Sequence, residues 1–199
     1  CGRAKLELGD LGSVNEYKKR NVPELIQHVK DGWDLVAPIP SCVLMFKQEI
    51  PLMYPDDFEV QQVKKAFFDP FEYLMLRHNA GALKQDFKNE LGVIAWQAAC
   101  HQRVQNIGPK TKDVLNLVPG TSVTALERCS GHDGTYGVKK STYANARKIA
   151  KPVESRVKLS EPNHFTSDCV MAGSHIAHGL NDGTEAEHPI SLLRLAYGL

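Results

Sequence analysis

The stretch Leu126-Glu127-Arg128-Cys129-Ser130-Gly131-His132-Asp133-Gly134-Thr135-Tyr136-Gly137 follows a β-branched run, Thr121-Ser122-Val123-Thr124, and precedes a helix-like segment. It places a thiol, a hydroxyl, an imidazole, a carboxylate and three glycines in one turn. Glycine lets the backbone take positive φ and approach a bound group closely. A strand that runs into a turn and then a helix is the repeating unit of parallel α/β proteins, whose ligand sites lie where strands end. This turn is therefore expected to be one wall of a metal site, with other cysteines supplying the remaining walls.

Outward from that turn the same alternation recurs. Val14 to Gly32 has Tyr17, Val22, Leu25, Ile26 and Val29 at helical spacing and Gly32 as a stop. Asp34 to Ile39 is a short apolar strand, ended by Pro40-Ser41-Cys42, and Val43 to Glu49 is helical with Ser41 as its N-cap. Phe58 to Phe68 is helical, and Asp69-Pro70 caps a further helix to about Asn79. Val93 to Trp96 is a strand that runs into Cys100-His101, and a helix starts at Pro109. Ser122 to Leu126 is the strand before the cysteine turn. Val138 to Leu159 is helical with a break or kink at Pro152. Asn163 to Ser167 is a strand ending in Asp168-Cys169, Val170 to His178 is helical, and Pro189 to Tyr197 is a last amphipathic helix. Lys5 to Leu11 carries no clear pattern.

Cys42, Cys100, Cys129 and Cys169 each fall at the end of an expected strand. Parallel strands present all their C-terminal ends on one edge, so thiols far apart in sequence would meet there. A repeat supports this arrangement. Cys1 and Cys42 are 42 − 1 = 41 residues apart, and Cys129 and Cys169 are 169 − 129 = 40 apart. Each pair encloses a helix and a strand. The expected fold class is α/β, built of two related βα units with short parallel strands and cysteines at strand ends. The first unit, 1–55, is N-terminally truncated. A helical connection follows over 56–90, and the second unit with a C-terminal helix spans 91–199.

Composition narrows the function classes. Apolar residues make up 42% of the 199, which supports a packed core. Lys plus Arg is 24 against 23 for Asp plus Glu, so the net charge of +1 gives no reason to expect nucleic acid. No apolar run approaches the roughly eighteen residues of a membrane span, and no signal peptide is present. Five cysteines without a secretory signal argue against a disulfide framework. A chain that begins Cys1-Gly2 rather than Met is expected to be a piece of a longer polypeptide.

Several stretches resemble the cysteine-rich CCG-domain family of heterodisulfide reductase-related iron–sulfur proteins. They are Cys1 to Asp10, Pro40 to Glu49, Phe68 to Leu74, Cys100 to Gly108, Arg128 to Gly134 and Ser167 to Cys169. The nearer match is to the C-terminal part of the C subunit of anaerobic glycerol-3-phosphate dehydrogenase. The resemblance covers essentially the whole chain. It aligns Cys100 with the family's lone cysteine, Cys129-Ser130-Gly131 with its Cys-Cys-Gly turn, and Cys169 with the opening of its last pair. Cys1-Gly2 and Cys42 match the turn and last motif of the first unit. Ser130 stands where the family has a second cysteine, and Ala172 where it has the last. The resemblance implies a 4Fe-4S electron-transfer component of an oxidoreductase rather than its catalytic subunit, passing electrons from a flavin dehydrogenase subunit or other redox protein toward quinone. It also implies a ferredoxin-like N-terminal domain of the same chain. The expected location is cytoplasmic, at most peripheral to the inner face of the cell membrane.

The residues themselves leave alternatives open. Cys100, Cys129 and Cys169 suit an iron–sulfur cluster or zinc, and His132 or His101 would fill a fourth position. Three buried strand-end thiols, in a zinc-bound or metal-free module for subunit assembly, is the competing reading. Gly131 and Gly134 are candidate cofactor-cradling positions, although Gly131, Gly134 and Gly137 match neither the dinucleotide fingerprint nor the P-loop. A Cys100–His101 nucleophile lacks a third orienting group. His164, His175, His178 and His188 show no ligand spacing.

Overall fold

The computed structural model describes residues 1–199 as an α/β protein, 54% helix and 11% strand. The elements are α1 (Arg3–Glu7), α2 (Leu11–Lys30), β1 (Leu35–Val36), α3 (Pro40–Leu44), a π-helical turn (Met45–Glu49), α4 (Ile50–Met53), α5 (Phe58–Ala66), β2 (Phe67–Phe68) and α6 (Pro70–Asn79). They continue with β3 (Gly92–Gln97), α7 (Cys100–Arg103), α8 (Lys110–Leu115), β4 (Thr121–Leu126), α9 (Lys140–Leu159), β5 (His164–Ser167), α10 (Val170–Leu180), β6 (Ala186–Glu187) and α11 (Pro189–Ala196).

Every strand pairing is parallel. The larger sheet has the order β4-β3-β5-β6, and β1 with β2 forms a second, two-stranded sheet. Side chains alternate across β3, so its residues divide between two cores. Ile94 and Trp96 join Val123 of β4, Val114 and Leu115 of α8, Phe71 of α6, and Leu192, Leu193 and Ala196 of α11. Ala95 joins Leu126, Phe165, Val153 and Val157 of α9, and Ile176 and Leu180 of α10 on the opposite face. A third core belongs to the N-terminal part: Val14, Val22 and Ile26 of α2 pack against Val43, Met45, Phe46, Val60, Val63 and Phe67.

This layering creates a topological switch point. The chain leaves β3 toward the α8 face and leaves the neighbouring β5 toward the α10 face, and the C-terminal ends at such a point are where open α/β sheets hold their ligands. The two halves also echo each other. In each, a parallel strand pair (β1 with β2, β5 with β6) leads into a helix with proline in its first turn and a side-chain N-cap. Asp69 accepts the Phe71 amide at 2.9 Å and forms a capping box with Glu72. His188 accepts the Ile190 amide through Nδ1 at 3.2 Å.

Several local expectations are corrected. The helix expected over Phe58 to Phe68 ends at Ala66, because Phe67 and Phe68 pair with Leu35 and Val36. The helix at Cys42 begins at Pro40 with Ile39 as N-cap, so Ser41 caps nothing. Pro152 does not break α9, which runs unbroken from Lys140 to Leu159. Arg3 to Glu7 is helical, and Ala186–Glu187 adds a short edge strand. The connection over 56–90 is more than a spacer: Phe71 of α6 lies in the core of the larger sheet.

Candidate metal centre

The ends of β3, β4 and β5, three of the four strands of the larger sheet, are held together by one side chain. Gln97, the last residue of β3, is buried, and its amide donates to the carbonyls of Ala98 and Arg128, both at 3.0 Å. Its Oε1 accepts the Ser167 hydroxyl at 2.8 Å. The Ser167 oxygen in turn accepts the Cys169 amide at 3.3 Å. Gln97 thus staples the segments that carry Cys100, Cys129 and Cys169. Sequence reading gave Gln97 no role; its only local signal is a polar residue ending an apolar strand.

Cys129 lies near enough to Cys100 to act on its thiol. Desolvation pushes the Cys100 thiol up from its ordinary range, and the neighbouring Cys129 adds to that shift. The Cys129 sulfur accepts the Gly131 amide at 3.4 Å. Cys169 is the N-cap residue of α10 at the end of the adjoining strand. All five cysteines are free. No set of three or more His, Cys, Asp or Glu side chains is gathered closely enough to hold a metal ion.

The N-terminal part packs onto the same edge. Helix α3, which carries Cys42, packs against α7, which begins at Cys100. The Gln105 amide donates to the Pro40 carbonyl at 3.3 Å. Arg3, two residues from Cys1, is paired with Glu7 and Glu49 and lies 3.1 Å from His101 Nε2. Guanidinium only donates, so that ring nitrogen accepts and is taken. Burial first, then the Arg3 charge, push the His101 imidazole below its ordinary range. His101 is consequently tied to the unit interface.

The glycine turn is shaped by close approach to protein. Gly131 has φ 75°, and a Cβ there would overlap the Ala146 carbonyl oxygen of α9. Gly134 has φ 48°, and its Cβ would come within 2.9 Å of Glu7 Oε2. These two glycines admit a helix backbone and a carboxylate respectively. Ser130 is buried, and its hydroxyl oxygen accepts the His132 amide at 3.2 Å, the bond of a hydroxyl-stabilised turn. The His132 ring lies against His175 of α10, with centroids 6.2 Å apart.

At the same strand ends runs a buried polar chain. Asp168 accepts Trp96 Nε1 at 2.7 Å and the Thr111 hydroxyl at 2.8 Å. The Thr111 oxygen accepts Gln102 Nε2 at 3.0 Å, and Gln102 reaches Asp69 Oδ2 at 3.5 Å. Burial raises the Asp168 carboxyl above its usual range. Burial, reinforced by the Asp168 charge, pushes Asp69 up to about 6. The chain ties the N-cap of α6 to the residue before Cys169. Sequence reading missed it, because Asp69 is separated from Asp168 by 168 − 69 = 99 residues and each reads locally as a turn residue.

No helix is long and apolar enough to cross a membrane. Compared with family models and with curated proteins, the chain matches none.

Proposed function

We propose that the chain is an electron-transfer module that holds a 4Fe-4S cluster and serves a flavin dehydrogenase or another redox protein within a larger oxidoreductase. The observation that carries this reading is the convergence of cysteine segments. The segments bearing Cys100, Cys129 and Cys169 are tied together through Gln97 and Ser167, Cys129 acts on the Cys100 thiol, and the helix bearing Cys42 packs on the helix of Cys100.

Clusters are held by cysteine thiolates, normally four. The donors here are right in kind. Cys100, Cys129 and Cys169 would hold the cluster. When bound, such a group takes up and releases single electrons. The chain's own part is to hold and to tune. The Gln97 staple fixes three ligand loops relative to one another. The Gly131 amide stabilises negative charge on the Cys129 sulfur, a lever on potential. Chemistry on an organic substrate belongs to a partner. A ferredoxin-like domain of the same polypeptide, and peripheral contact with the inner face of the cell membrane, belong to the same proposal.

The test is anaerobic purification followed by reconstitution with ferrous iron and sulfide. Iron, sulfide and zinc are then counted per chain, and the visible spectrum is recorded. The expected result is iron with matching sulfide and a brown absorption, both lost in Cys100→Ala and Cys129→Ala. Zinc in place of iron would support the assembly-module reading instead. A folded chain free of both metals after reconstitution would refute metal ligation.

A further inference from the structure

Beside the cysteine turn, on the α10 side, the ring of His132, a candidate fourth ligand of the cluster, stands against that of His175. We propose that His132 and His175 form a two-imidazole site for a borderline divalent cation of the zinc type, separate from the cysteine edge. His132 comes from the turn after β4 and His175 from α10, and their ring planes are inclined at 44° with centroids 6.2 Å apart. An imidazole nitrogen lies about 2 Å from a bound zinc, which puts the ring centre about 3 Å away. Two rings on one ion therefore have centres up to about 6 Å apart, and small side-chain rotations bring this pair into range.

Three further observations favour a ligand here. His175 Nε2 is buried and makes no hydrogen bond of ordinary geometry, although the Ala146 carbonyl lies near the ring, and an incompletely paired buried ring nitrogen is costly unless something engages it. Gly137 passes against both rings: a Cβ there would come within 3.0 Å of His132 Nδ1 and 3.4 Å of His175 Cε1. Larger residues at that position would push the rings apart. Lastly, zinc takes the neutral imidazole, and burial, then the charges of Arg147 and His132, hold His175 below its ordinary pKa.

Arg147 would repel a cation if its charge were bare, but it is paired with Glu154. Its other nitrogen donates to the His175 main-chain carbonyl, which fixes the helical turn that presents the ring. The Tyr143 ring stands edge-on at 6.2 Å and covers one side. Two protein donors leave the other positions to water, the mark of an exchangeable site rather than a closed structural one.

The test reads each ring separately, so zinc bound by thiols does not obscure it. The Cε1 protons of His132 and His175 are followed by NMR while the full chain is titrated with zinc chloride to an excess over all thiols. Both signals are expected to shift with one midpoint. His132→Ala should move the His175 midpoint at least tenfold higher, His175→Ala should do the same to His132, and His178→Ala should leave both in place. His132→Gln gives a second variant should the alanine perturb the turn, and the amide spectrum reports folding. Unshifted rings at excess zinc, or a His175 response indifferent to the loss of His132, would overturn the site. Neither outcome bears on the cluster, whose test counts iron and sulfide on the cysteines.

Discussion

The Asp69 carboxyl lies 1% exposed at the junction of α6 with the larger sheet, and its stability cost can be worked from its surroundings. It accepts the Phe71 amide at 2.9 Å, the Glu72 amide at 3.5 Å and Gln102 Nε2 at 3.5 Å, all uncharged donors. Burial and the nearby Asp168 raise it from 3.8 to about 6. The difference is roughly two units, or about 3 kcal/mol at 1.36 kcal/mol per unit. The sign follows from which state holds the proton more tightly. Below 3.8 both states are protonated and nothing is lost. Between 3.8 and about 6 the unfolded chain ionises first, so the native state is progressively disfavoured as pH rises. Above that window the full penalty remains. Asp69→Asn keeps an N-cap acceptor and removes the charge. Urea unfolding of both proteins, at a pH near 4 and at one near 8, isolates the effect from other ionising groups. The variant should gain about 2.4 kcal/mol on the parent between the two conditions, less than the full penalty because the unfolded carboxyl is already partly ionised near pH 4. Asp168→Asn should shrink that gain by lowering Asp69. A difference between parent and Asp69→Asn that is flat with pH would refute the reasoning.

Two other substitutions probe the centre's scaffold. Gln97→Leu leaves the Ala98 and Arg128 carbonyls and the Ser167 hydroxyl without their buried partner, and a loss of about 3 kcal/mol in urea unfolding is expected; hydrogen exchange should quicken at Cys169, while α2 should be unaffected. Gly131→Ala forces a Cβ onto the Ala146 carbonyl at a residue with φ 75°, so a melting temperature lower by at least about 6 °C, or failure to fold, is expected from a cost of about 3 kcal/mol or more. An unchanged melting temperature would mean that the turn and α9 are not in contact.

Much of the architecture was legible without coordinates because its signals are local. The apolar period of Val14 to Val29, the Asp69-Pro70 helix start and the β-branched runs before Leu126 act within a turn or two of chain, and the elements appeared within a few residues of those marks. Placing cysteines at strand ends required only strand boundaries, and parallel pairing of β3 with β4 brings the segments that carry Cys100 and Cys129 to the same edge. The elements that escaped have no local signal of their own. Phe67-Phe68 and Ala186-Glu187 are two-residue strands, defined by the partner that accepts their hydrogen bonds. Pro152 reads as a breaker from its missing amide, yet α9 runs through it, supported on both sides of the proline by Ala150, Val153 and Val157, all buried.

By itself, then, the sequence determined the order of helices and strands, the parallel α/β class and the spacing of the thiols, since each follows from short-range sterics, capping and periodicity. Tertiary structure alone decided what faces what: Gln97 across three strand ends, Asp69 against Asp168, His132 against His175. Such pairings join residues that are tens of positions apart, and a chain acquires them only when packed layers bring buried polar groups within reach of one another.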